Sequence, residues 1–225
     1  MPMPSFGGPR RAIRPPSGVG IIPRADCRPG ERPPIRTMPS RPALYLAGPD
    51  VFRPDAAQWY DRSEGLCERH GLVGLRPSDG GLADGFDGPA AELAQRIYDG
   101  NLALIRRCDA VIANLAPFRG HIEPDSGTVF EVGVAIALGK PVAAYLPEHD
   151  RSYAERVARH FPTRRDASGT LWDDTHGCWI EGFGEPLNLM LSRSTALFGS
   201  FEDALVHLAS VLGPKDRAAT LRDPE

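Results

Sequence analysis

From Ala43 onward, short apolar runs alternate with longer amphipathic stretches, and that alternation leaves few architectures open. Apolar runs this short read as buried strands, and the stretches between them carry helical periodicity. Together they describe a parallel sheet covered by helices on both faces. The strands read as Ala43 to Ala47, Leu72 to Leu75, Ala110 to Leu115 and Pro141 to Leu146, with a short fifth at Thr195 to Phe198. The helices read as 55–70, 90–107, 127–139, 151–160 and 201–212, the second setting Leu93, Ile97, Leu104 and Ile105 on one face. The sequence therefore predicts a five-stranded α/β domain over 43–213, with a C-terminal tail over 214–225.

The segment before it is different. Residues 1–42 hold 11 of the 23 prolines and 8 arginines, with only Asp26 and Glu31 as acids, and show neither helical nor strand periodicity. Such a composition predicts a disordered Pro/Arg-rich extension. It could be a basic tail that touches a partner; the simpler reading starts translation at Met38, just ahead of the first strand.

Composition narrows the function. A formal net charge of -3 supplies no electrostatic footprint for DNA or RNA, so a nucleic-acid polymer is not an expected partner. The four cysteines form no CxxC pair and, without a secretory leader, fit reduced thiols in a cytoplasm better than disulfides or zinc. The apolar runs fall short of the roughly 18 to 20 residues of a membrane span, so no membrane role is expected. The six histidines have no ligand spacing, and no metal or cofactor is expected.

In an open α/β sheet, ligands bind beyond the carboxyl ends of the strands. That places the expected site among Gly48 to Phe52, Pro77 to Pro89, Ala116 to Gly127 and Pro147 to Asp150. Two long loops, Asp79 to Pro89 and Phe161 to Pro186, are of a length that is usually functional or mobile. Within Ala116 to Gly127, Asp125 reads as the N-cap of a helix with Thr128 three residues on, and Glu131 follows one and a half turns later. The positive end of the helix dipole favours an ionised carboxylate, the state a nucleophile needs. A capping Asp with a Glu in the next turn is also ordinary helix-start chemistry. What adds weight is that Gly127, Gly133, Val134 and Ala135 around Glu131 are small or apolar, which leaves room for a ligand beside an acid that is costly to bury unless used.

Four separated blocks then carry a resemblance: Leu44-Tyr45-Leu46-Ala47-Gly48-Pro49 with Phe52; Asn101 to Arg106 running into Cys108 to Leu115; Pro117-Phe118-Arg119-Gly120 with Asp125 through Gly133; and Pro186-Leu187-Asn188-Leu189-Met190. In order, they resemble the nucleoside 2-deoxyribosyltransferases over about 43–200. The resemblance implies a flavodoxin-like doubly wound five-stranded parallel sheet with helices on both faces. It also implies an enzyme of nucleotide salvage that takes nucleosides and free nucleobases. Glu131 would attack C1′, the base would leave, and a covalent deoxyribosyl ester would await a second base, with net retention as in a retaining glycosidase. By the same resemblance Asp125 holds the sugar 5′-hydroxyl, Tyr45 positions the nucleophile, and Asn188 is lent by a neighbouring subunit, making the protein a homo-oligomer with shared sites. Read without the family, Tyr45 is a core aromatic and Asn188 a loop residue satisfying local backbone. Gly48, Pro49, Phe52, Asp79, Phe118, Arg119 and Gly127 complete the candidate pocket; Phe118 could stack on a base and Arg119 could hydrogen-bond it.

One position departs from the family pattern. Members with a defined proton donor to the leaving base carry Asp where this chain has Asn101, and a neutral amide is no general acid. Asn101 can still hold the base, with the proton coming from Asp79, Asp99 or water. Two other readings stay open: a nucleoside or nucleoside 5′-phosphate N-glycosidase on the same fold, and a non-catalytic nucleotide-sensing module. Asp125 speaks against the phosphorylated substrate, since a carboxylate about 4 Å from a phosphate costs several kcal/mol at an effective dielectric near 20. Glu131 speaks against the sensor, which needs no carboxylate under C1′. A chain beginning at Met38 is expected to match the full chain in melting temperature and turnover, and a marked loss of either would show that the leading segment supports the domain.

Overall fold

The computed structural model describes residues 41–77 and 86–213. In chain order, β1 (Ala43–Ala47) turns through a single 3-10 turn (Pro49–Phe52) into α1 (Ala56–Arg69), followed by β2 (Val73–Leu75), α2 (Ala90–Arg107) and β3 (Ala110–Asn114). Then come α3 (Ser126–Ala137), β4 (Val142–Tyr145), α4 (Tyr153–His160), a ribbon of β5 (Thr163–Arg165), β6 (Leu171–Asp173) and β7 (Cys178–Trp179), a short α5 (Leu189–Ser194), β8 (Ala196–Phe198) and α6 (Phe201–Leu212). Five parallel strands form one sheet in the order β2-β1-β3-β4-β8. Each predicted strand is present, and the order is the doubly wound one whose switch point lies between β1 and β3.

Alternation along the strands splits the core in two, as the two-residue period of a strand requires. Tyr45, Ala47, Val111, Ala113 and Ala144 face one side, where Leu104 and Ile105 of α2, Val132 and Ala135 of α3 and Leu191 of α5 cover them. Leu44, Leu46, Ala110, Ile112 and Ala143 face the other, against Tyr60 and Cys67 of α1 and Phe201, Ala204, Leu205 and Leu208 of α6. The strands are buried on both faces, which is why they read as continuous apolar runs rather than alternating ones.

Three expectations are corrected. The segment Phe161 to Pro186, expected as one long loop, contains the antiparallel ribbon β5-β6-β7, paired Thr163 with Asp173 and Trp172 with Trp179. Its strands are two or three residues long and rich in charge, so they give no apolar run to read. The short α5 follows the ribbon without an apolar period long enough to announce it. In α2, Leu104 and Ile105 are buried as expected but Ile97 is exposed, because the N-terminal half of that helix extends past the layer that covers the sheet. The expected terminal segments 1–40 and 214–225, and Asp79 with most of its loop, lie outside the described residues. Among the described residues, no helix is long and apolar enough to cross a membrane.

Candidate active site

The site is built from α3 inward. Asp125 caps the helix: its Oδ2 accepts from the Thr128 amide at 2.9 Å and from the Thr128 hydroxyl at 3.0 Å. That use of one oxygen leaves the second for a ligand. One and a half turns on, Glu131 is half-buried and points toward β1 and α2. The hydroxyl of Tyr45, fully buried in β1, donates to Glu131 Oε1 at 2.6 Å, and the amide of Asn101 in α2 donates to the same oxygen at 3.4 Å. Among the described residues Oε2 has no hydrogen-bond partner. One oxygen is held from two sides and the other is not.

Burial pushes the Glu131 carboxyl up from 4.5 to about 7; the Tyr45 hydrogen bond works against that and the nearby Asp125 charge adds to it. Tyr45 itself is driven far above the usual tyrosine range by burial and by Glu131, so it stays a neutral donor. Asn101 matters here through its lack of charge. An aspartate at that position would put a second anion within hydrogen-bond reach of Glu131 and raise its carboxyl further. The Asn101 Oδ1 is buried without a partner among the described residues, an acceptor left for a ligand to satisfy.

The loops at the ends of β1 and β3 form the second half. Phe52, 60% exposed, stacks on Phe118 with centroids 5.7 Å apart, and the Arg119 guanidinium lies 5.0 Å from one ring centroid and 4.7 Å from the other. Arg119 adopts a left-handed backbone with φ 51, followed by Gly120 at φ 77, which turns this loop back toward Phe52. A partly exposed aromatic pair edged by a guanidinium is a surface on which a nucleobase can stack. Gly48 is required by close approach: a Cβ there would come 2.7 Å from Asp50 Oδ2 and 2.9 Å from Asn114 Cβ. Pro49 begins the 3-10 turn and is buried, while Gly127 lies in the first turn of α3 beside the capping carboxylate.

Three residues were missed from sequence. Asp50 is only 3% exposed, accepts from Asn114 Nδ2 at 2.9 Å and is hydrogen-bonded by Tyr145; burial pushes its carboxyl upward. The three tie together the carboxyl ends of β1, β3 and β4. The signal was an acid placed directly after an apolar strand and a Gly-Pro turn. The fourth loop named as site-forming, Pro147 to Asp150, instead sets His149 against Gly199, where a Cβ would lie 2.9 Å from the ring. Asp99 is exposed and accepts from Gln95, away from the Glu131 cluster.

Asn188 is not brought into hydrogen bonding with Glu131 or Asp125. It caps α5 by accepting from Met190 N at 3.0 Å, and its amide donates to Glu181 at 2.5 Å. It borders an apolar groove of about 600 Å³ between α3 and α5, with Pro124, Ser126, Val129, Gly133 and Ile136. At 3.6 residues per turn, that stripe of α3 is on the opposite side of the helix from Glu131. Among the described residues, no group of His, Cys, Asp and Glu could hold a metal ion.

The sequence pattern of the nucleoside 2-deoxyribosyltransferase family matches residues 44–190. The uncharacterized protein C191.05c of Schizosaccharomyces pombe is 32% identical over 191 residues, covering 80% of this chain and 90% of that protein. A solved 2-deoxyribosyltransferase from Leishmania mexicana is 34% identical, covers 75% of this chain and 97% of its own, and superposes with a TM-score of 0.57.

Because burial raises the Glu131 carboxyl, the folded ligand-free protein favours its protonated form. That stabilisation is complete below about 4.5 and is lost as the pH rises through about 7. Glu131→Gln is neutral throughout. Its stability relative to wild type, followed by melting temperature, should therefore climb from about pH 4.5 to about pH 7 and then level off, by about 3 kcal/mol in all. A difference that stays flat over this range would show that Glu131 ionises as it does in water.

Proposed function

The chain belongs to the nucleoside 2-deoxyribosyltransferase family, a family of glycosyl transfer or hydrolysis at nucleosides, and on that footing we propose that it moves 2-deoxyribose between nucleobases through a covalent ester on Glu131. The observation that carries this reading is the double hold on Oε1 by Tyr45 and Asn101, with Oε2 unheld. A carboxylate fixed by one oxygen presents the other along a defined line to C1′, which lowers the entropy cost of attack.

Burial supports the same chemistry. The free carboxylate is disfavoured by desolvation, whereas the ester formed on attack is neutral and carries no such cost. In the transition state the sugar acquires oxocarbenium character, and the carboxylate beside it is the stabilising counter-charge. A second base then attacks the opposite face of C1′ and displaces Glu131, so two inversions give retention. Tyr45 keeps its proton throughout and serves as a fixed donor. The free oxygen of Asp125 accepts from the sugar 5′-hydroxyl, and the Phe52–Phe118–Arg119 surface receives the base. Asn101 Oδ1, buried without a partner among the described residues, accepts from a base or sugar donor.

The reading includes a homo-oligomer. Asn188 lies around α3 from Glu131, on a groove edged by Met190, which is 71% exposed, and lined by Val129, Ile136 and Leu191. An apolar face of this kind is suited to a second copy, and Asn188 on it would serve that copy's site rather than its own.

Incubation with 2′-deoxyinosine and free adenine, followed by chromatography, should yield 2′-deoxyadenosine. Free deoxyribose alone would identify a hydrolase, and no turnover a binding module. Glu131→Ala should lower turnover by several orders of magnitude with the fold intact; retention of more than about a tenth of the activity would remove Glu131 as nucleophile.

Mixing inactive Glu131→Ala and Asn188→Ala chains after dissociation should restore about a quarter of the sites, since random pairing makes half the dimers mixed. No recovery despite demonstrated exchange would place Asn188 outside the partner's site.

A further inference from the structure

A buried arginine in α4 grips two loops at once. Arg156 is 2% exposed, and its guanidinium donates to the Pro186 carbonyl at 2.8 Å and the Ile122 carbonyl at 2.5 Å. One turn earlier, Tyr153 repeats the arrangement: its hydroxyl donates to Glu123 at 2.6 Å and its amide to the Glu185 carbonyl at 2.6 Å. Four contacts from a single short helix thus fall on two adjacent residues of each loop. Ile122 and Glu123 stand just ahead of Pro124 and Asp125; Glu185 and Pro186 stand just ahead of Leu187 and Asn188.

A buried cation costs several kcal/mol in desolvation, and among the described residues no carboxylate lies within salt-bridge distance of this one. A buried apolar side chain would carry no such cost. What an apolar residue cannot do is hold two carbonyls at a fixed separation, which the planar fork of a guanidinium does. Leu187 is fully buried and its amide is bound by Ser192 Oγ at 3.1 Å, so the position of Pro186 passes directly to Asn188. On the other loop, Pro124 passes the position of Ile122 and Glu123 to Asp125 with little backbone freedom.

We propose that Arg156 is a positioning residue that sets the register of the Asp125 loop against the Asn188 loop and thereby fixes how tightly the sugar 5′-hydroxyl is held. The proposal rests on the reading of Asp125 as the 5′-hydroxyl anchor. Arg156 touches neither substrate nor Glu131. Its effect is confined to the 5′ end of the sugar, and it separates from the chemistry at C1′.

The test compares 2′-deoxyinosine with 2′,5′-dideoxyinosine as donors, following hypoxanthine release, which reports transfer and hydrolysis alike. Wild type should prefer the 5′-hydroxyl substrate by about tenfold or more in kcat/KM, the worth of one hydrogen bond to a charged group. In Arg156→Met and Arg156→Lys, the latter able to satisfy one carbonyl but not both, that preference should shrink toward unity through KM. Turnover of the 5′-deoxy substrate should stay within about twofold. Tyr153→Phe, which removes only the bond to Glu123, should move the ratio the same way by less, and it serves if the Arg156 variants fail to fold. If wild type does not distinguish the two substrates, the Asp125 reading falls and takes this proposal with it. If wild type distinguishes them but the variants lose both substrates equally, or keep the full preference, the Asp125 reading stands and Arg156 is only a structural support.

Discussion

The hydrogen bond from Tyr45 to Glu131 depends on both residues being where solvent cannot compete. Tyr45 lies in the middle of β1 with its ring in the core, and its hydroxyl reaches the one acid that α3 turns toward the sheet. Burial disfavours the carboxylate, and the hydroxyl partly restores it. The balance leaves a carboxyl whose anion is poorly solvated, yet accessible near neutral pH. Removing the hydroxyl would tilt that balance toward the acid, and opening the site to water would tilt it back toward the carboxylate. The packing of β1 against α2 and α3 therefore sets the protonation of that carboxyl.

A second tie organises the rim. Asp50, Asn114 and Tyr145 close the carboxyl ends of three adjacent strands around a buried carboxylate, with Gly48 giving the approach that a side chain would block. The 3-10 turn they hold carries Phe52 into contact with Phe118. A chain of contacts thus runs from buried polar groups to an exposed aromatic surface, and the shape of that surface is set from beneath. Loops alone would leave the two rings free to separate.

Much of this was legible in the sequence, for identifiable reasons. Strands buried on both faces leave unbroken apolar runs, so β1, β3 and β4 were read within a residue of their ends. Asp125 announced its cap by its spacing to Thr128, whereas spacing alone left Glu131 as ordinary helix-start chemistry. The ribbon β5-β6-β7 gave no signal, since strands of two or three residues carry no period. Arg156 was equally silent: nothing local separates a buried arginine on an amphipathic helix from a solvated one, and its partners are carbonyls 30 and 34 positions away. Asp50 gave a signal that passes easily for a turn residue. Local patterns expose what a residue does to its own segment; contacts that join distant segments stay hidden.

The placement of α3 shows how one helix can serve two surfaces. Its capping aspartate and Glu131 face the sheet's carboxyl edge, while Ser126, Val129, Gly133 and Ile136 line the groove shared with α5. The small residues on that stripe keep the groove open, and Met190 borders it without filling it. Whatever seats there presses on the same helix that carries Glu131. A helix anchored at one end by Asp125 and through its middle by Val132 and Ala135 has little room to shift in response. The two faces are thus mechanically joined but chemically separate: occupation of the groove can complete or order the neighbourhood of Asp125 without perturbing the hydrogen bond that holds Glu131.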